Sequence, residues 1–143
     1  MARDNVTVLE PVQEGTASVE VGVVTKQAVT QANGIKIVNA LKNKNNSLQI
    51  TIENTYTSAA STLTIKAGNE YPNKMLGDLN VSLGQATANS GAAATPKLTV
   101  VILEDISRFE NRDGSICLDF SANFTGNVWA VAKRAGMEAA SNQ

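Results

Sequence analysis

The stretch Ser47–Thr55 reads SLQITIENT, and within it Leu48, Ile50 and Ile52 alternate without interruption with Gln49, Thr51 and Glu53. A period of two belongs to a pleated strand, whose successive side chains point to opposite faces; on a helix these three would scatter round the axis. The same period recurs on both sides. Val19, Val21 and Val23 alternate with Ser18, Glu20 and Gly22. Leu63 and Ile65 alternate with Thr62, Thr64 and Lys66, and Leu79, Val81 and Leu83 with Asp78, Asn80 and Ser82. Ile116, Leu118 and Phe120 alternate with Ser115, Cys117, Asp119 and Ser121. Each run has one apolar and one wet face. A slip of one residue would put the apolar side chains in water, so register is strongly specified.

Turn signals separate these runs. Asn33-Gly34 precedes a short strand at Ile35–Val38 and interrupts Val29–Lys42, the best helical candidate. Lys42–Asn46, Ala67-Gly68-Asn69 with Tyr71-Pro72-Asn73, and Thr125-Gly126-Asn127 mark further turns. Asp113-Gly114 suits a tight hairpin turn, since glycine accepts the positive φ it needs. It is expected to join a short strand near Ser107–Asn111 to Ser115–Ser121. Many short strands punctuated in this way predict an all-β fold, an antiparallel sandwich or barrel, over residues 17–134. Residues 1–16 read as an N-terminal arm and 135–143 as a small polar tail, frayed or ordered on a partner. Gly84–Pro96 (GQATANSGAAATP) has no bulky apolar residue and is expected to be a long mobile loop.

Two strands are apolar on both faces. In Leu98–Leu103, Leu98, Val100 and Ile102 lie on one face and Val101 and Leu103 on the other. In Val128–Lys133, Trp129 and Val131 oppose Val128, Ala130 and Ala132. Such strands are either covered on both sides or carry a protein contact. Trp129, the only tryptophan, serves as a core anchor or an interface hot spot. The arm residues Val6, Val8, Leu9 and Pro11 could add a strand to an exposed sheet edge. The candidate protein-contact residues are therefore Val6, Val8, Leu9, Pro11, Val101, Leu103 and Trp129.

Composition narrows the function. The chain has 143 residues, 12 Lys+Arg, 13 Asp+Glu, a formal net charge of -1, one Cys and no His. That length suits one domain. Without His there is no Ser-His-Asp or Cys-His pair, no imidazole shuttle and no His metal ligand. One Cys excludes an intrachain disulfide, a CxxC centre and an all-Cys zinc site. Near-neutral charge argues against nucleic-acid binding, and no apolar run is long enough for a membrane helix. No leader is evident at Met1–Asn5, so assembly in a reducing cytoplasm is expected, with the N-x-S/T triplets at Asn5, Asn45, Asn80 and Asn123 unglycosylated.

Motifs for chemistry are few. Glu104 and Asp105 are adjacent, but on a strand their side chains diverge. Asn111, Asp113, Gly114 and Asp119 lack calcium-loop spacing. No GxGxxG or GxxxxGK[ST] occurs. Cys117 has no activating neighbour in the sequence and is not read as a nucleophile. Lys36, Lys42 and Lys44, and Lys133-Arg134, have no interleaved aromatics and read as solvated loop charges. The reading is a non-enzymatic protein without cofactor or metal.

Residues 33–134 also carry an ordered series of phrases: Asn33-Gly34, SLQITIENT at Ser47–Thr55, STLTIKAGN at Ser61–Asn69, DLNVSL at Asp78–Leu83, ISRFENRDGSICLDFS at Ile106–Ser121, and the closing strand Val128–Lys133. The series resembles that of tailed-bacteriophage head decoration (capsid cement) proteins. The resemblance implies an antiparallel β-sandwich or tulip-like domain with an extended N-terminal arm. It further implies a virion protein on the outer capsid surface, with the major capsid protein and its own copies as partners, a trimer being favoured. The alternative is another virion component: a tail-tube, head-fibre or adhesion module. The loop at 84–96 and the N-terminal extension depart from the short form of the family.

Overall fold

In the computed structural model, the structure describes residues 3–7, 26–38, 46–69, 77–104 and 106–134. The fold is all-β, as the alternation requires. The strands are β1 (Asp4–Thr7), β2 (Gln27–Ala28), β3 (Ile35–Val38), β4 (Asn46–Asn54), β5 (Ser61–Ile65), β6 (Leu79–Gly84), β7 (Thr87–Asn89), β8 (Ala92–Thr95), β9 (Lys97–Leu103), β10 (Ile116–Phe120) and β11 (Gly126–Arg134). Among the described residues no helix is long and apolar enough to cross a membrane.

Two sheets carry the core. One has the order β1-β3-β10-β5-β6 and the other β2-β11-β4-β9. The chain passes between them from β4 to β5, back before β9, across again to β10 and back to β11. All pairings are antiparallel except β1 with β3. The apolar half of each alternation faces the gap. Ile35, Ile37, Leu63, Ile65, Leu83, Ile116 and Leu118 from one sheet, and Leu48, Ile50, Ile52 and Val128 from the other, are fully buried in one cluster. Removing each such side chain from water is worth about 1.5–3 kcal/mol, which holds the two sheets together. Phe120 stacks on Phe124 with ring centroids 4.5 Å apart, closing one end.

Buried polar groups tie the strand ends. Asn54 is fully buried; its Nδ2 donates to the Gly84 carbonyl at 3.0 Å and its Oδ1 accepts from the Tyr56 N–H at 3.0 Å. One side chain thus links β4, the loop after it and the end of β6, so its burial costs no unmade hydrogen bond. Gly68 permits a second tie. Its N–H donates to the Arg108 carbonyl at 3.0 Å, and a Cβ there would lie 1.9 Å from the Glu110 carbonyl oxygen.

Three expectations need correction. Ser107–Phe109 is one turn of 3-10 helix, not a strand, and β10 pairs with β3 and β5 instead. Arg108 explains part of this: its guanidinium donates to the Gly77 carbonyl at 2.8 and 3.0 Å, pinning the turn across the sheet end. The hairpin expected at Asp113-Gly114 is a tight turn into β10. The Gly114 N–H donates to the Asn111 carbonyl at 2.8 Å, with Gly114 at φ 80. Residues 84–96 hold a β-hairpin, β7 and β8 joined at Ser90-Gly91, in place of the expected mobile loop. Lack of bulky residues removes core packing but not main-chain pairing. The Asn89 side chain adds bonds of 2.9 Å to the Ala93 carbonyl and to Thr95 Oγ1. The strand expected at Val19–Val23, the turn at Tyr71–Asn73 and the tail 135–143 lie outside the described residues.

Candidate functional site

The inward halves of the strands build the core; the outward halves are the available surface, and the two sheets differ sharply there. On the β1-β3-β10-β5-β6 sheet the outward side chains are mostly polar, Val38 and Cys117 being the exceptions. Register sets Asn5, Lys36 and Cys117 in one row and Asp119, Thr64 and Asn80 in another. Arg3 pairs with Asp119, Lys36 with Asp113 at 2.8 Å and Lys66 with Asp78 at 2.8 Å. A shallow basin of about 640 Å³ opens here, lined by Arg3, Asn5, Lys36, Asn111, Asp113 and Cys117 among others. Its charges largely neutralise one another. The Lys36 ammonium, and the Ser115 hydroxyl donating to Asp113 Oδ1 at 2.5 Å, hold the Asp113 carboxyl down at about 2. Such a carboxylate is a poor base near neutral pH. Cys117 is half-buried, its Sγ 3.5 Å from Asn111 Nδ2. Among the described residues no three His, Cys, Asp or Glu side chains cluster as metal ligands would.

These pairings have a pH consequence. Asp113, Asp78 and Glu53 all titrate below their ordinary values, because each carboxylate accepts hydrogen bonds: Asp113 chiefly from Lys36, Asp78 chiefly from the Ala67 N–H, Glu53 chiefly from Asn127. A depressed carboxyl stabilises the fold above its unfolded pKa and loses that contribution as pH falls through its folded pKa. The melting temperature is therefore expected to fall between about pH 4 and pH 2. Asp113→Asn should flatten the lower part of that fall. The pairs are solvent-exposed, so the effect is small and shrinks with salt. Thermal melts across this range, at two salt concentrations, check both statements.

The outward face of the β2-β11-β4-β9 sheet is mixed: β9 and β11 turn out Leu98, Val100, Ile102, Trp129 and Val131, and β4 between them turns out Gln49, Thr51 and Glu53. Register places Trp129, Thr51 and Val100 side by side across β11, β4 and β9. Val131, Gln49 and Ile102 form the next row, and Asn127, Glu53 and Leu98 the row on the other side. Leu98, Val100 and Ile102 are 56%, 52% and 51% exposed, the large apolar side chains most open to water among the described residues. Trp129 and Val131 are half-buried on the same face. Thr51 faces outward yet is buried, since it sits between Trp129 and Val100. The charge at the corner is already satisfied. Glu53 accepts from Asn127 Nδ2 at 2.9 Å and from Lys26 Nζ at 3.1 Å, and Lys26 Nζ lies 5.1 Å from the Trp129 ring centre. The exposed apolar row Leu98, Val100 and Ile102, with Trp129 and Val131 across the polar stripe of β4, marks a surface suited to cover by protein.

The candidate contacts separate accordingly. Trp129 belongs to the apolar face. Val101 and Leu103 point the other way: Leu103 is a core residue and Val101 packs half-buried against the core. Alternation makes both faces of β9 greasy, and only the partner sheet decides which is covered; Leu98, Val100 and Ile102 are the ones left outside. Val6 is also corrected. Asp4–Thr7 does add a strand to a sheet edge, but to this chain's own β3, which buries Val6 in the core. Val8, Leu9 and Pro11 lie outside the described residues. Comparisons with protein-family models, curated proteins and solved structures find no match to this chain.

Proposed function

We propose that this chain is a non-enzymatic structural protein of a phage virion, a decoration module that docks on the outer surface of the capsid and stabilises the shell. One observation carries the reading: the edge strand β9 turns Leu98, Val100 and Ile102 to solvent on the face that also carries Trp129 and Val131, while the opposite sheet turns out paired charges and amides. A flat module of that character covers one face on protein and leaves the other wet. Its partners are the major capsid protein and further copies of itself, with three-fold clusters favoured by the resemblance. Binding only to the assembled lattice stabilises that lattice by linkage. With Val6 buried in the core, the described residues that carry the docking role are the exposed apolar side chains of β9 with Trp129 and Val131 of β11.

Incubating the protein with icosahedral phage heads stripped of accessory proteins, then pelleting, tests the reading. Saturable co-sedimentation with heads is expected, and immunogold labelling should decorate heads along their surface. Labelling confined to tails or fibres would favour the alternative virion component. Absence of binding to any particle would remove the proposal.

A further inference from the structure

The strand β9 is an edge: its register with β4 runs unbroken from Lys97 to Leu103, and among the described residues nothing pairs with its other side. Natural edges are usually blunted by a charge, a proline or a bulge. Here Lys97 and the preceding Pro96 stand at the entrance, and Leu98–Leu103 contains none of these devices. The edge is also visibly incomplete. Val101 and Thr99 face the sandwich interior yet stay half-exposed, as do Leu79 and Val81 on the adjoining edge strand β6. A further strand beside β9 would complete their cover.

We propose that the occupant of this edge is β9 of a second copy, paired antiparallel about a two-fold axis through Val100. Three observations select a copy of the same chain. First, the outward side chains of the strand, Leu98, Val100 and Ile102, carry no charge to recognise a nucleic acid or an acidic or basic peptide, and the ion pair beside them, Lys26 with Glu53, satisfies itself. Neutral apolar meeting neutral apolar incurs no charge repulsion. Second, the strand is self-complementary. It has seven residues with Val100 at the centre. Pairing about Val100 sets Leu98 opposite Ile102 and Thr99 opposite Val101, with Lys97 opposite Leu103 at the ends. Third, antiparallel addition continues the pattern of β2-β11-β4-β9, giving one eight-stranded sheet whose outward face joins two apolar patches. The contact is isologous, as a two-fold requires. It does not rest on the phage assignment, and it is a two-fold contact separate from the three-fold clustering of the docking reading.

Single cysteines in a Cys117→Ser background test the register. In an antiparallel pair directly opposed Cα atoms lie about 4.5–5.5 Å apart, within disulfide reach. Val100→Cys should form a reducible dimer under mild oxidation. Leu98→Cys alone and Ile102→Cys alone should not, because each would stand four residues, about 13 Å, from its own copy. Mixed together, those two should cross-link. The unsubstituted protein should sediment as a dimer at about 100 µM, and Val100→Lys should weaken association at least about 30-fold with an unchanged melting curve. A monomer with no cross-linking, equal cross-linking at all three positions, or a dimer indifferent to Val100→Lys would each overturn the proposal. Head binding by a protein that fails these tests would leave the docking reading standing.

Discussion

Gly126→Ala is expected to cost about 3–5 kcal/mol, near the top of the range for a single substitution. Gly126 opens β11 at φ 151, opposite Asn54 at the end of β4. A Cβ built there would lie 1.8 Å from the Glu53 carbonyl oxygen and 3.1 Å from Phe124 Cζ. The first neighbour is backbone in the longest ladder of the fold and cannot rotate away. The same glycine accepts the Val29 N–H at 2.9 Å, so a shift would also disturb the approach to β2. Gly91→Ala isolates the other contribution. It too has positive φ, 69, but a Cβ there meets open space, so only the backbone preference of about 1–2 kcal/mol is at stake. Thermal melts should show Gly126→Ala lowered by about 10 °C or more and Gly91→Ala by a few degrees. Equal shifts would mean that backbone conformation, not close approach, governs position 126.

Trp129→Thr is expected to weaken docking on the shell by about 30–1,000-fold, the equivalent of about 2–4 kcal/mol for a hot-spot tryptophan. Thr suits a strand, and Trp129 lies on the outward face, so the fold should survive with a modest loss. The ring sits on β11, two strands in from the β9 edge, with Lys26 Nζ 5.1 Å from its centre. Edge pairing of two copies should therefore persist while head occupancy falls. Quantitative pelleting beside sedimentation of the free protein separates the two readouts. Unchanged occupancy would place the docking surface elsewhere and leave Trp129 as packing for Thr51.

Much of the fold is legible in the amino-acid sequence. β4, β5, β6 and β10 fall where the alternation places them, and their inward sets are those the pattern names. The hairpin β7–β8 is not legible in this way, because side-chain burial leaves no trace there; backbone pairing and Asn89 hold the segment. Nor is the turn at Ser107–Phe109, because Arg108 bonds a carbonyl 31 residues away, which no local pattern records. For the candidate site, the doubly apolar character of β9 and β11 is the signal, but it carries no sign. Alternation in Leu98–Leu103 supplies two apolar sets and no means of choosing between them.

The residues alone commit this chain to strands, to a register that hides one set of side chains, and to a surface without histidine chemistry or a thiol pair. Those outcomes follow from a side-chain period of two and from composition, both local properties. Which set of β9 meets water, that Val6 closes its own sheet, and that one outer face carries most of the ion pairs while the other exposes the apolar row of β9 are decided only where two sheets meet. Burial is a relation between segments distant in sequence, and strand order sets it.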